Sequence, residues 1–188
     1  MKILGLSGSL RNGSYNAQLL RAAANELPPG AELVVWDGVR ELPYYDEDLD
    51  VDPAPHIVRD LRTAVAAADG LIISTPEYNA SIPGALKNAI DWASRPRATS
   101  ALKDKPVLVV GATTGLFGAV WAQAEMRKVL KTAGADPLED EVPVGQAHEA
   151  FGEDGGLRDP DLRAALADAV GALVREIAAP AKDAAVAA

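Results

Sequence analysis

Three short polar segments carry most of the residues that could do chemistry, and each follows an apolar run. Residues 7–16 supply three Ser hydroxyls, Asn amides, two glycines and the guanidinium of Arg11. Residues 76–79 supply a carboxylate, an aromatic ring and an amide, and residues 111–118 supply small residues and two Thr hydroxyls. Hydroxyls and a guanidinium bind phosphate oxygens, while an aromatic ring beside backbone polar groups suits a flat heterocycle. We therefore expect a ligand with a phosphate at one end and a heterocycle at the other.

The first segment has the composition of an anion site at the start of a helix. Backbone N–H groups at a helix N-terminus attract negative charge, and the Arg11 guanidinium adds a planar fork for two phosphate oxygens. A plain helix cap at Ser14 or Asn16 is the alternative, but a cap explains one polar residue, whereas this segment has seven polar or glycine positions and an arginine. We therefore predict phosphate binding. No Lys follows a glycine as in a P-loop, so NTP hydrolysis is not expected.

Side chains of the second segment and of the pattern that follows it are not expected to be catalysts. A Glu77 carboxylate facing a phosphate would repel it, so we expect this side chain to point elsewhere or to play a structural role while its backbone faces the ligand. Tyr78 either packs in the core or stacks on the ligand ring. Ser81 is a candidate cap for the helix that begins near Pro83, and Trp92 suits packing or a subunit interface.

Groups that usually perform acid–base or nucleophilic catalysis are scarce in the chain. There are no cysteines, and the two histidines, His56 and His148, lie outside the three segments. The sequence contains no Gly-x-Ser-x-Gly elbow, no His-Glu-x-x-His motif and no obvious set of metal ligands. A nucleotide-like cradle without catalytic groups of its own predicts that a bound cofactor carries the chemistry.

Apolar strand-like runs alternate with helical patterns along the chain, which predicts an α/β domain. We expect strands at 2–6, 32–36, 70–75, 106–111 and 137–144, and helices at 17–24, 57–68, 82–94, 120–133 and 162–178. Five such units with short connections predict a parallel sheet covered by helices on both faces, with the polar fifth strand at an edge. Ligands of such sheets bind at the carboxyl ends of the strands, which is where the three polar segments fall.

Size and charge limit the organisation and the partners of the protein. The 188 residues suit one domain, expected at 1–178, followed by an Ala-rich tail at 179–188 that we expect to be frayed. The net charge of −9 argues against nucleic acid and anionic membranes as partners. The apolar run at the N-terminus is too short for a signal peptide and no run is long enough to cross a membrane, so we expect a cytoplasmic protein. The acidic, Pro-rich residues 41–55 form either a solvated loop or one that flanks the site or a subunit contact.

Two long stretches of the sequence, residues 8–16 and 76–92, resemble the paired signatures of the NADPH-dependent FMN reductases. This family includes chromate and quinone reductases and azoreductase-like flavoproteins. Similarity also occurs at 42–49, at 114–115 and at 151–155, so that the resemblance covers nearly the whole chain.

The resemblance implies a flavodoxin-like three-layer sandwich, with a five-stranded parallel sheet of strand order 2-1-3-4-5 and FMN at its carboxyl edge. The residues that would hold the FMN phosphate are Ser9, Arg11, Ser14 and Asn16, with Tyr15 beside them. The residues that would line the isoalloxazine ring, partly through their backbone, are Pro76, Glu77, Tyr78 and Asn79. The residues that would close the other edge of the ring are Thr113, Thr114 and Gly115. Homodimers or homotetramers with the site near the subunit interface are also implied.

One segment departs from the pattern of the family. Many relatives have two glycines and then an Arg where this chain has residues 118–121, but here the second glycine is Ala119 and the Arg position is Trp121. Trp121 packs either at a subunit interface or beside the flavin pocket. Arg95, Arg97 and Lys103 are nearby candidates for the 2′-phosphate of NADPH, although the sequence does not decide between NADPH and NADH.

The function implied is that of an FMN-dependent NAD(P)H oxidoreductase acting by a ping-pong mechanism. Hydride would pass from NAD(P)H to bound FMN, and from there to a quinone, free flavin, azo compound or oxidised metal anion. A flavodoxin-like electron carrier for a protein partner is the alternative, and the charge of −9 suits docking to a basic reductase. A non-catalytic module that keeps the fold is a third hypothesis.

Overall fold

The computed structural model describes residues 1–180, so most of the predicted tail, residues 181–188, lies outside the described residues. The strands are β1 (Lys2–Ser7), β2 (Glu32–Val35), β3 (Gly70–Thr75), β4 (Pro106–Ala112), β5 (Asp136–Pro137) and β6 (Pro143–Val144). The helices are α1 (Tyr15–Asn25), α2 (His56–Ala66), α3 (Gly84–Ala93), α4 (Val120–Thr132) and α5 (Pro160–Ala178).

All strand pairs in the sheet are parallel, and the order β2-β1-β3-β4-β5 confirms the predicted topology. The predicted fifth strand at 137–144 is wrong in one respect, because it is divided into β5 and β6, which pair with opposite ends of β4. Pro137 and Pro143 have no N–H to donate to a ladder, and the acidic side chains of residues 139–141 are exposed between them. The chain therefore leaves the sheet edge and returns to it.

Helices cover both faces of the sheet, as the sequence predicts. Side chains of β3 and β4 alternate between two apolar clusters, with Leu71 and Ile73 in the cluster of α2, α3 and α4 and Ile72 in the cluster of α1 and α5. All six residues of β3 are buried. Burial on both faces explains why the central strands read as continuous apolar runs.

Helix starts differ from the predicted positions where the capping residue decides them. Helix α1 begins at Tyr15 because the Ser14 hydroxyl accepts a hydrogen bond from the N–H of Ala17, which selects Ser14 from the two predicted caps. Helix α3 begins at Gly84, two residues later than predicted, with Pro83 as its N-cap and without a side-chain cap, so Ser81 does not serve as one.

The acidic segment 41–55 is anchored to the domain rather than simply solvated. The indole N–H of Trp92 donates to the carbonyl of Pro43 at 2.8 Å, and the amide of Asn88 donates to the same carbonyl while accepting from the N–H of Tyr45. Trp92 has no exposed surface within this chain and packs edge-on against Tyr45. Packing, the first of its two predicted roles, is therefore confirmed for Trp92.

Candidate functional site

Three loops meet at the carboxyl edge of the sheet. They follow β1, β3 and β4, which are neighbours in the sheet, at residues 8–14, 76–83 and 113–119. The connections from β1 and from β3 leave in opposite directions along the sheet, because β2 lies on one side of β1 and β4 on the other side of β3. Such a switch point is the usual ligand crevice of an open α/β sheet.

Asn16 ties these loops together from the start of α1. Its side-chain oxygen accepts hydrogen bonds from the Ser74 hydroxyl at 2.8 Å and from the Ala112 N–H at 3.0 Å, and its amide donates to the Ala112 carbonyl at 2.9 Å. Asn16 is only 2% exposed. Both ends of its amide are therefore engaged at the ends of β3 and β4, and its contribution to the site is to hold the three loops in register.

The first loop has free hydrogen-bond donors around it. Within residues 1–180, the backbone N–H groups of residues 10–14 donate to no protein acceptor, and the Arg11 guanidinium forms no hydrogen bond or ion pair. Ser9 and Ser14 hydroxyls lie in the same loop, which lines a cavity of about 320 Å³. Free N–H groups, hydroxyls and a guanidinium fit a phosphate.

Two further arginines, which the sequence reasoning missed, line the same cavity. Arg21 comes from α1 and Arg40 from the segment after β2. The Arg40 guanidinium donates to the carbonyl of Leu10 in the first loop. The position of Arg40 could have been inferred from the predicted strand order, because that order makes β2 the neighbour of β1 and brings the segment after β2 beside the first loop.

The second loop contains a tight turn that presents Tyr78 to solvent. Tyr78 and Ser81 exchange backbone hydrogen bonds at 3.0 and 3.1 Å, and the central residues Asn79 and Ala80 have φ of +54° and +59°. Positive φ at both central positions is the geometry of a type I′ turn. Tyr78 is 53% exposed, so the first of its two predicted roles, packing in the core, is wrong. Within the described part of the chain, the N–H groups of Glu77 and Asn79 donate to no acceptor and are free for a ring.

Glu77 has the structural role that was predicted for it. Its carboxylate accepts a hydrogen bond from the N–H of Ala122 at 3.2 Å, in the first turn of α4. The first N–H groups of a helix have no partner within the helix, and a negative charge there is favourable. Glu77 thus caps α4 and connects the second loop to the third.

The third loop is held against β6. The Thr113 N–H donates to the Val144 carbonyl at 3.0 Å, and the amide of Gln123, which is fully buried, donates to the Gly118 carbonyl at 2.9 Å. Gly118 has φ of +60°, and a Cβ there would lie 2.3 Å from the carbonyl carbon of Pro143. Only glycine fits this position, so the backbone of the third loop is restricted to this conformation.

Ala119 and Trp121, which depart from the family pattern, differ in their surroundings. Ala119 is buried and has φ of +62°, a left-handed conformation that glycine adopts more readily than alanine. Trp121 is 50% exposed and packs edge-to-face with Phe117 at 5.2 Å. With Leu116, these two rings form an exposed apolar rim, which we define as residues 116, 117 and 121.

Other charged groups singled out in the sequence lie away from the three loops. Arg95 and Arg97 follow α3, a helix of ten residues or about 15 Å, and so lie near the opposite edge of the sheet from the second loop. The hydrogen bond that Arg95 donates to the Tyr45 hydroxyl raises the pKa of Arg95 above its ordinary value. Lys103 is exposed before β4, at that same edge. These residues are therefore not brought to the site within one chain.

The two histidines differ in position, and His148 is the nearer to the third loop, because the N–H of the preceding Ala147 donates to the Thr113 carbonyl at 3.0 Å. His56 is exposed at the start of α2 and lies 3.1 Å from the Asp60 carboxylate, and His148 lies 3.5 Å from Glu149. Among residues 1–180, no group of three or more metal-ligating side chains is arranged to hold an ion. In the same range, no helix has both the length and the apolar character needed to cross a bilayer.

Proteins that are similar to this chain include FMN reductases and quinone reductases. The model of the NADPH-dependent FMN reductase family matches residues 1–149. An NAD(P)H-dependent FMN reductase of Pseudomonas aeruginosa is 42% identical over 87% of this chain and 88% of its own, and a quinone reductase of Escherichia coli K12 is 37% identical over 69% of both. Among solved structures, FerB, a flavoenzyme NAD(P)H:(acceptor) oxidoreductase of Paracoccus denitrificans, superposes with a TM-score of 0.84 at 34% identity, covering 94% of this chain and 97% of its own.

Proposed function

Because the chain belongs to the NADPH-dependent FMN reductase family, we propose that residues 1–178 form one domain that binds FMN across the three loops and oxidises NAD(P)H. The observation that carries the proposal is the set of free donors. The first loop offers unpaired N–H groups and a guanidinium for a phosphate, and the second offers unpaired N–H groups for the edge of a ring. Together they match the two ends of FMN.

The phosphate of FMN is assigned to the first loop. Its ligands are the Ser9 and Ser14 hydroxyls, the Arg11 guanidinium and the free N–H groups, with Tyr15 beside them. Asn16 serves the site by fixing the loop to the ends of β3 and β4. The isoalloxazine ring lies against the second and third loops. The residues assigned to it are Pro76, Glu77, Tyr78, Asn79, Thr113, Thr114 and Gly115.

Bound FMN would supply the redox chemistry, which is hydride transfer from NAD(P)H to an acceptor in a ping-pong sequence. The protein positions the reactants and stabilises charge. The free N–H groups of Glu77 and Asn79 would donate to the edge of the ring and favour the negative charge that develops there. The Glu77 carboxylate does not oppose this charge directly, because it is engaged at the N-terminus of α4. No side chain of the site is assigned the role of acid, base or nucleophile.

The acceptor proposed is a small molecule of the quinone type. The Tyr78 side chain is exposed at the second loop, and aromatic surfaces favour flat apolar rings. The curated relatives include a quinone reductase of Escherichia coli. Free flavins, azo compounds and oxidised metal anions are the other members of the acceptor class to be screened, together with NADPH and NADH as donors.

We also propose that the enzyme is a homodimer or homotetramer in the cytoplasm, where cells keep NAD(P)H. The apolar rim at residues 116, 117 and 121 supports oligomer formation, since exposed contiguous apolar surface marks an interaction site. Burial of the rim beside the third loop would place the site near the subunit interface. Sedimentation analysis of the purified protein measures the oligomeric state directly.

The test of the proposed function is direct. Protein purified from cells, or loaded with FMN, is expected to carry the yellow flavin absorbance and to oxidise NAD(P)H when a quinone is supplied, with no protein partner present. Colourless protein that also fails to bind added FMN would contradict FMN binding. FMN-loaded protein that needs a partner protein for turnover would instead favour the electron carrier.

A further inference from the structure

The Arg11 guanidinium lies over an aromatic ring that is itself stacked with a second ring, and we call this set of three side chains the column. Its central carbon is 4.7 Å from the centroid of the Tyr15 ring. The Tyr15 ring is in turn parallel to the Phe151 ring, with centroids 6.3 Å apart and planes 2° from parallel. The three side chains come from the first loop, from the start of α1 and from a segment more than a hundred residues further along the chain. No role in the proposed function has been assigned to Phe151 so far.

The backbone around Phe151 is fixed by a small hairpin, residues 150–158. The N–H of Gly152 donates to the carbonyl of Gly156 at 2.8 Å, and Arg158 donates through its backbone N–H to Ala150 and through its side chain to the carbonyl of Phe151. Leu157, which pairs with Phe151 across the hairpin, is buried in the core against α1 and α5. The Phe151 ring is therefore held by the domain and not by the loop that it meets.

The column gives the Arg11 side chain its only observed partner within residues 1–180. An exposed arginine otherwise samples many rotamers. The entropy lost when one rotamer is fixed lowers the net free energy of any hydrogen bond that the guanidinium forms. A cation above an aromatic face is attracted by the ring, and a second stacked ring fixes the first. The column thus orders the guanidinium before a ligand arrives.

We propose that Phe151 is a positioning residue for the FMN phosphate: through Tyr15 it holds the Arg11 guanidinium in the conformation that binds the phosphate oxygens. The proposal depends on the proposed function, since it presumes that FMN occupies the three loops. It explains why hairpin 150–158, far from the loops in sequence, packs against the start of α1. It assigns Phe151 an effect on the phosphate end of the ligand alone.

The test compares FMN with riboflavin, which has the same ring but no phosphate. Dissociation constants for both flavins are measured by fluorescence titration of the flavin-free protein and of Phe151→Leu, which removes the ring and keeps apolar bulk. We expect Phe151→Leu to raise the dissociation constant of FMN about fivefold, which corresponds to the loss of one stacking contact, and to leave riboflavin binding unchanged. Phe151→Tyr, which keeps a stackable ring, is expected to restore FMN affinity.

A second arm uses the Arg11→Ala background. There, Phe151→Leu is expected to have no further effect on FMN, because the group that it positions is absent. Equal losses for FMN and riboflavin in Phe151→Leu, or an undiminished effect in the Arg11→Ala background, would overturn the positioning role. If Phe151→Leu does not fold, Phe151→Met, which also removes the ring and keeps apolar bulk, is judged by the same ratio. A wild-type protein that binds neither flavin would overturn the proposed function itself.

Discussion

The loop after β1 has few bonds to the rest of the protein, whereas the loops after β3 and β4 are held by many. In the first loop, the N–H of Gly8 donates to the Ser74 carbonyl, and five consecutive N–H groups after Ser9 have no protein acceptor within residues 1–180. The other two loops are fixed by the Tyr78–Ser81 turn, by the Glu77 cap on α4 and by hydrogen bonds to β6. We refer to these parts as the phosphate side and the ring side.

This difference indicates how each side contributes to binding. The ring side is built by the fold, so substitutions there act through stability and should affect any flavin alike. The phosphate side has donors that only a ligand satisfies, so substitutions there should affect FMN and spare riboflavin. The ratio of the two affinities therefore separates the sides.

The largest effect is expected on the ring side, from Gly118→Ala. A Cβ at this position would lie 2.3 Å from the backbone of Pro143, and the φ of +60° is unfavourable for any residue with a Cβ. We expect the free energy of unfolding to fall by about 3 kcal/mol, with loss of both FMN and riboflavin binding. Urea unfolding and flavin titration measure these changes.

The matched control is Gly84→Ala, at the first residue of α3, where nothing lies within 4 Å of an added Cβ. Its stability should be unchanged or higher by up to about 1 kcal/mol. If Gly118→Ala is as stable as the wild type, the third loop has more than one backbone conformation. The claim that the ring side is fixed by the fold would then be contradicted.

The next effect is expected on the phosphate side, from Arg11→Ala. Loss of a charge-assisted hydrogen bond costs about 1.5–3 kcal/mol, which corresponds to a decrease in FMN affinity of roughly 10- to 100-fold. Riboflavin affinity and the free energy of unfolding should change little, because Arg11 is exposed. Arg59→Ala, which removes an exposed positive charge from α2, controls for long-range electrostatics. A parallel decrease in riboflavin affinity would contradict the assignment of Arg11 to the phosphate.

A smaller effect is expected from Glu77→Ala on the ring side. Removing the cap of α4 should lower the free energy of unfolding by about 1 kcal/mol. Both flavins should bind more weakly by the same factor, since the second loop loses its connection to α4. Glu77→Gln keeps an acceptor oxygen and should retain most of the stability, differing by the loss of charge at the helix N-terminus. A selective effect on FMN would move Glu77 to the phosphate side.

The smallest effect concerns the opposite edge of the sheet, which serves as a reference for both sides. Burial lowers the pKa of Lys105 below its ordinary value, although the charge of Asp69 opposes the shift. The unfolded chain therefore holds this proton at pH values where the folded protein has lost it. The free energy of unfolding should rise with pH between the pKa of Lys105 in the folded protein and its ordinary pKa. Lys105→Met should remove this rise, and Lys103→Met, at an exposed position, should keep it. Flavin affinities should be unaffected by both.

Much of the fold and the outline of the site follow from the sequence. Continuous apolar runs locate β1, β3 and β4, and the polar segments after them fall where parallel strands end. The role of Glu77 as a structural residue follows from the charge of the ligand, but its partner, Ala122, does not, because the contact depends on where α4 begins. The break between β5 and β6 does have a local signal, since Pro137 and Pro143 cannot donate to a sheet ladder and acidic residues lie between them.

Contacts between distant parts of the chain set the rest of the site. Arg40 reaches the first loop only because β2 pairs with β1, and Phe151 reaches Tyr15 only through the packing of a late hairpin. Neither residue has a local sequence signal for its role. Asn16 shows the converse, since its position in the motif suggests a ligand contact while its buried amide joins strand ends.

The most direct test of a two-sided FMN site is a paired titration of the flavin-free wild-type protein with FMN and with riboflavin. We expect one flavin per chain and an FMN affinity greater than that for riboflavin by at least about tenfold, the contribution of a single charge-assisted phosphate contact. Equal affinities would contradict a phosphate site in the first loop, and no binding of either flavin would contradict the site as a whole.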